Sequence, residues 1–264
     1  MTTEQIPQDY VPPDAPLTIG GVLDDGFRLT RAVYRQVFVI ALIGAFIANI
    51  PTLMITVDEA DPLAMFNGVF FAVLLLSTLV SAFAFAWAIY FIHRAALQQP
   101  VSLGDAATLA MRRFPVMLVV FIAYFFIILL GYVALIVPGV ILTLTLMFAA
   151  YLVITDNAGV GDSFKGSYNL VWGNWWRTAA LFTVLFFVFI VIYAVVAIVT
   201  GVVIAFQGGE SDLLLTVFEW VVAPLLQAAY MPVMYSCSLA ILNDLKLRRQ
   251  GDDLEARLAQ VEAD

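Results

Sequence analysis

The chain is poor in the side chains from which most active sites are built. A single cysteine, Cys237, excludes an internal disulfide, and a single histidine, His93, leaves no second imidazole for a metal or a proton relay. No Gly-rich phosphate loop occurs, so the tetrapeptide Asp58-Glu59-Ala60-Asp61 has no nucleotide context. Charge is scarce as well: 12% of the 264 residues are Asp, Glu, Lys or Arg, about half the share of a soluble domain. Acids outnumber bases by 20 to 12, and the net charge of −8 argues against nucleic acid as a partner, because phosphate neutralisation needs clustered Lys and Arg.

What is abundant is apolar. Hydrophobic residues make up 63% of the chain, more than a soluble core can hide and enough for several spans of about 20 residues each. The chain reads as an integral membrane protein. Residues 1–16 carry Glu4, Asp9, Asp14 and four prolines without an apolar run. They are expected to form a disordered tail, not a cleaved signal, so the first span serves as an uncleaved anchor.

Charge-free stretches locate the spans, since an ionised side chain at the bilayer centre costs roughly 2.5 kcal/mol or more. Five stand out: residues 36–57, 62–93, 114–155, 178–209 and 220–243. The third is too long for one helix across ~30 Å of hydrocarbon, and Gly131 with Pro138-Gly139 supplies turn residues near its middle. Dividing it there makes six spans. All twelve basic residues then fall on one side, whereas Asp58, Glu59, Asp61, Glu210 and Asp212 fall on the other. By the positive-inside rule both termini are cytoplasmic.

Three hairpins are each preceded by an amphipathic segment. Ile19, Val22, Leu23, Phe27 and Thr30 recur at helical spacing opposite Asp24, Asp25, Arg28 and Arg31. Leu103, Ala106, Ala110 and Met111 do so before the third span, and Val160, Phe164, Tyr168 and Val171 before the fifth. The expected fold is all-α: six transmembrane helices in three hairpins, each preceded by a cytoplasmic amphipathic interfacial helix. Residues 17–243 form this domain, and residues 244–264 a cytoplasmic tail of helical character, with Leu247, Leu254, Leu258 and Val261 as its apolar stripe.

Two sets of side chains carry what chemistry there is. Trp172, Trp175, Trp176 and Arg177 meet the membrane interface at the start of the fifth span, where indoles sit at headgroup depth and a guanidinium faces phosphate. Positional anchoring accounts for the same residues. Glu219 is the one acid approaching membrane depth, and Gln227, Pro224 and Pro232 lie in the same span, a combination that in a transporter lines a polar cavity. Membrane helices also carry prolines without such a purpose. Ser77, Ser81, Ala84 and Ala88 form a small-residue stripe that packs within the bundle or between subunits. No catalytic set, no metal site and no cofactor are expected from these residues.

Residues 135–177 carry a recognisable text: Pro138-Gly139, Asp156 and Gly159, then Asp162-Ser163-Phe164-Lys165-Gly166-Ser167-Tyr168 and Trp172-Gly173-Asn174-Trp175-Trp176-Arg177. Together with Asn243-Asp244-Leu245-Lys246-Leu247-Arg248 it resembles an uncharacterised six-span bacterial membrane family that includes the membrane domain of glycerophosphoryl diester phosphodiesterases. Lys165 and Asn243 depart from that family's pattern. The resemblance implies fold and a bacterial inner-membrane location, and it transfers no catalytic residue, since the hydrolase of the two-domain relatives is a separate soluble domain.

The expected function is thus that of a non-enzymatic accessory or lipid-interacting protein of the inner membrane, whose partners are the bilayer and a membrane protein or a second copy of itself. A small transporter or channel using Glu219 and Gln227 is the alternative. A fluorescent-protein fusion to the C-terminus should fold and fluoresce, and alkaline phosphatase inserted at Glu59 should be active. The reverse pattern would overturn the orientation.

Overall fold

The computed structural model describes residues 10–54, 67–206 and 216–263, with the side chains of 53, 54, 200, 203–206, 219 and 252–263 left out of the description. All regular structure among the described residues is helical. Helix α1 (Ile19–Asn49) ends in a 3-10 turn (Ile50–Met54), and α2 (Gly68–Ala96) and α3 (Leu103–Ala134) follow. Then come α4 (Ile136–Leu146), α5 (Ala149–Thr155) and α6 (Val160–Val171), a 3-10 turn (Trp172–Asn174), α7 (Trp175–Phe206), a π-helical turn (Phe218–Val222) and α8 (Ala223–Ala263). Six helical stretches are long and apolar enough to cross a membrane. The acids expected in the outer loops, 58, 59, 61, 210 and 212, lie outside the described residues.

Local chemistry explains where the helices start. Thr18 caps α1 by accepting from Gly21 N, Asn67 caps α2 through Val69 N and Phe70 N, and Ser102 caps α3 through Asp105 N. The long apolar run divides as expected. Leu135 alone separates α3 from α4, in an extended conformation (φ −169°, ψ 156°), and Pro138 falls in the first turn of α4, where a missing N–H costs nothing. Glycine makes so tight a hairpin feasible: a Cβ on Gly131 would lie 3.1 Å from Gly139 Cα, and one on Gly139 would lie 2.5 Å from the Tyr132 ring.

The amphipathic segments are helical, but only the third is an element of its own. In α1 nothing between Arg35 and Val37 interrupts the hydrogen-bond ladder, so the charged half runs straight into the apolar half. Helix α3 continues through Pro115 in the same way. Before α7 the weak helix formers Gly173 and Asn174 let the chain tighten into a 3-10 turn, which separates α6.

Helices α1 and α8 form the spine of the bundle and run antiparallel. Leu17 lies beside Asp244 and Gly26 against Cys237; further along, Tyr34 donates to the Ala229 carbonyl at 3.3 Å. Helix α2 packs on α1 where a Cβ on Gly44 would come within 3.1 Å of Ala84 Cβ. Ala84, Ala88 and Ser77 are buried, so the small-residue stripe works largely within the bundle. Phe85 joins three elements to α2, meeting Phe121, Tyr151 and Tyr235 edge to face at 5.5, 5.4 and 5.3 Å.

The N-terminal segment departs from the disordered tail expected for residues 1–16. Residues 1–9 lie outside the described residues, but Tyr10 is buried, its hydroxyl donates to Asp25 Oδ2 at 3.1 Å, and its carbonyl accepts from Gln98 Nε2. Composition foretold solvation because it does not register one aromatic ring with a pocket to fill. Burial and the neighbouring Asp25 charge push the Tyr10 phenol well above its ordinary value, so the hydroxyl remains a donor far into the alkaline range.

The α1–α8 contact is the least forgiving. A Cβ on Gly26 would lie 2.6 Å from Cys237 Sγ and 2.8 Å from Cys237 Cα, and the backbone atom cannot rotate away. Gly26→Ala should therefore destabilise the protein by roughly 1–3 kcal/mol, read as a lower thermal midpoint in detergent. Adding Cys237→Ala should restore only part of the loss, because the Cα clash persists.

Candidate functional site

A sharp reversal after α5 builds the site. Asn157 adopts the left-handed conformation (φ 54°), which Asn tolerates better than most residues, and Ala158 N reaches back to the Leu152 carbonyl. Helix α6 then returns along α5 and α4. Gly166 passes so near Leu152 that a Cβ would lie 2.9 Å from Leu152 Cδ1, and Ser167 Oγ donates to the Thr145 carbonyl at 2.7 Å. The turn at Trp172–Asn174 is thereby brought beside the first half of α4.

Between them lies a cavity of about 900 Å³. Ile136, Val137, Val140 and Ile141 of α4 make its apolar wall, and Trp172, Asn174, Trp175, Trp176 and Arg177 face them. The six-span reading puts the Pro138 turn and Arg177 at opposite membrane faces. Helix α4 alone cannot hold them apart, since its eleven residues rise only about 16 Å, and residues from both places line the one cavity. Tyr168 stacks on Trp172 with ring centres 5.2 Å apart, and Trp175 meets Trp176 edge to face at 4.8 Å. Trp176 is 82% exposed and Trp172 is also open to the surroundings, as indoles at a headgroup layer would be.

Arg177 does more than face the cavity. Its Nε and Nη2 donate to Asp244 Oδ2 at 3.2 and 3.0 Å, and Nη2 also donates to the Leu17 carbonyl at 2.7 Å. Arg248 makes the same pair of contacts, Nε to Asp244 Oδ2 at 3.0 Å and Nη2 to Leu17 O at 2.6 Å. Leu17 N donates to Asp244 Oδ1 at 2.8 Å. A carboxylate only 2% exposed thus gathers the starts of α1 and α7 onto α8. Nearby, Lys246 Nζ bridges Asp156 and Thr155, tying α8 to the end of α5.

Residues 68–221 match an uncharacterised protein family, UPF0259. The chain belongs to that family. No curated protein and no solved structure matches it. The UPF0259 match takes in α2 to α7 and thus every residue lining the cavity, whereas Asp244 and Leu17 lie beyond its ends.

In this UPF0259 chain the second expected site is not joined to the first. Glu219 sits in the π-helical turn, where Ala223 N bonds to Phe218 O, five residues back, ahead of Pro224; its side chain lies outside the described residues. Gln227 is half-buried on α8, 17 residues and about 25 Å from Asp244 along the helix. An apolar cavity of about 230 Å³ between α1, α7 and α8 is lined at this height by Leu226, Ala229 and Tyr230. Sequence reasoning missed Asp244 and Leu17. The spacing of Asp244 and Arg248 hinted at a helical ion pair, but the role of Arg177 in the same cluster, 67 residues away, had no local signal.

Asp244→Ala would leave Arg177 and Arg248, 18% and 29% exposed, without their shared acid. The expected loss is roughly 3 kcal/mol of stability, measured by unfolding in mild detergent, and a loss under 1 kcal/mol would remove the cluster from its central place.

Proposed function

We propose that the protein is a non-enzymatic protein of the bacterial inner membrane that holds a membrane lipid in the cavity between α4 and residues 172–177. The carrying observation is the composition of that cavity: four branched aliphatic side chains on one wall, three indoles and an amide opposite, with Arg177 next to them. An acyl chain matches the first, and a headgroup the others. Its volume of about 900 Å³ leaves room for a headgroup and part of an acyl chain. With the basic end of the bundle in the cytoplasm, the side of the cavity formed by residues 172–177 faces the inner leaflet.

Native mass spectrometry after gentle extraction tests this reading. The wild type should retain one lipid selectively, and Val140→Trp, which fills the cavity from its apolar wall, should reduce retention at least tenfold with helical content unchanged. Equal retention by both proteins, or none by either, would overturn the proposal.

A further inference from the structure

Arg177 belongs to two structures at once: it lines the cavity, and it holds the Leu17 carbonyl and Asp244. We propose that an anionic phosphate headgroup in the cavity competes with Asp244 for Arg177, and that its binding thereby loosens the N-terminal strap of residues 10–17. This rests on the lipid-holding reading above.

Charge bookkeeping within the cluster makes the exchange feasible. Asp244 contributes one negative charge, Arg177 and Arg248 two positive ones, and both guanidiniums reach the same oxygen, Oδ2. One positive charge is in surplus. A second anion is favoured there, and Arg177 can turn toward it without leaving Asp244 buried and unpaired, because Arg248 and Leu17 N still hold the carboxylate. A planar guanidinium also pairs with phosphate as readily as with carboxylate. The neighbouring cation, Lys246, is paired with Asp156 and adds little to this balance.

The strap records the outcome. Leu17 is held by two guanidinium donors to its carbonyl and by its own N–H on Asp244, and the other end of the strap is held at Tyr10 by Asp25. Turning Arg177 away removes one of those donors. Because coupling between two binding events is reciprocal, whatever weakens the strap must strengthen headgroup binding. A purely structural clasp makes the opposite prediction, since damage to it would spoil the cavity.

The test uses the full chain in nanodiscs of phosphatidylcholine with and without phosphatidylglycerol. Bound lipid is counted by native mass spectrometry, and hydrogen exchange is followed at the amides of residues 11–18. Phosphatidylglycerol should be retained and should speed exchange at Leu17 several-fold, and inorganic phosphate alone should do neither. Asp244→Asn should bind phosphatidylglycerol about tenfold more tightly. Tyr10→Phe, which releases the other end of the strap from Asp25 and leaves every charge and every donor to Asp244 in place, should also bind it more tightly, and it carries the test if the Asp244 variant does not fold. Unchanged or weaker affinity in a folded variant, or strap exchange indifferent to the lipid, would overturn the coupling while leaving the cavity's lipid site standing. Failure to retain any lipid would sink the lipid reading itself. If inorganic phosphate alone reproduces the effects, the ligand is free phosphate and the proposal of a lipid headgroup falls.

Discussion

A buried carboxylate must be surrounded by donors, because the cost of taking an ion out of water is recovered only through close and well-directed partners. Asp244 meets that demand with Leu17 N, Arg177 and Arg248. Its partners come from the segment before α1, the first turn of α7 and the next turn of α8 itself. Satisfying one side chain therefore fixes how the first and last helices meet, and where the fifth span begins relative to both. The Lys246 contact with Asp156 extends the same network to the end of α5.

Inside the bundle the constraint is different. Lipid tails are as apolar as leucine, so helices gain by close packing, not by escaping water. The contacts are accordingly made where side chains are small, at Gly26 against Cys237 and at Gly44 against Ala84. Among its described residues, helix α7 has no comparable seam. Phe186, Phe187, Val195 and Ile198 stand exposed along it, a surface that only a bilayer or another apolar face can cover. The helix is held mainly at its start by Arg177 and along one side by Leu181, Phe182 and Leu185, which are buried against the core.

The cavity exists because two local interruptions coincide. Asn157 in its left-handed conformation turns α6 back, and Gly173 with Asn174 ends α6 one turn before α7 begins. Had the amphipathic segment run directly into the span, as it does in α1 and α3, Trp172 to Arg177 would lie within one continuous helix, without the turn that sets them against α4. The break that distinguishes the third repeat from the other two is also what gives it a concave surface.

The helices were legible in the sequence because a bilayer imposes its rule residue by residue. Charge-free runs of sufficient length mark spans, and Pro138 and Gly131 mark the division of the longest run. The tryptophans and Arg177 stood out in the sequence as one group. What they enclose did not, since a cavity depends on how α4 and α6 pack, and side-chain spacing along one helix carries no record of its neighbour's position. Tyr10 shows the same limit: its prolines and acids describe a solvated tail, yet a pocket between Asp25 and Gln98 holds it. Composition and periodicity thus determined that this chain forms six helical stretches long and apolar enough to cross a membrane. The pairing of Asp244 with Arg177, 67 residues apart, was decided by tertiary structure alone, because long-range electrostatics act through space and leave no period in the sequence.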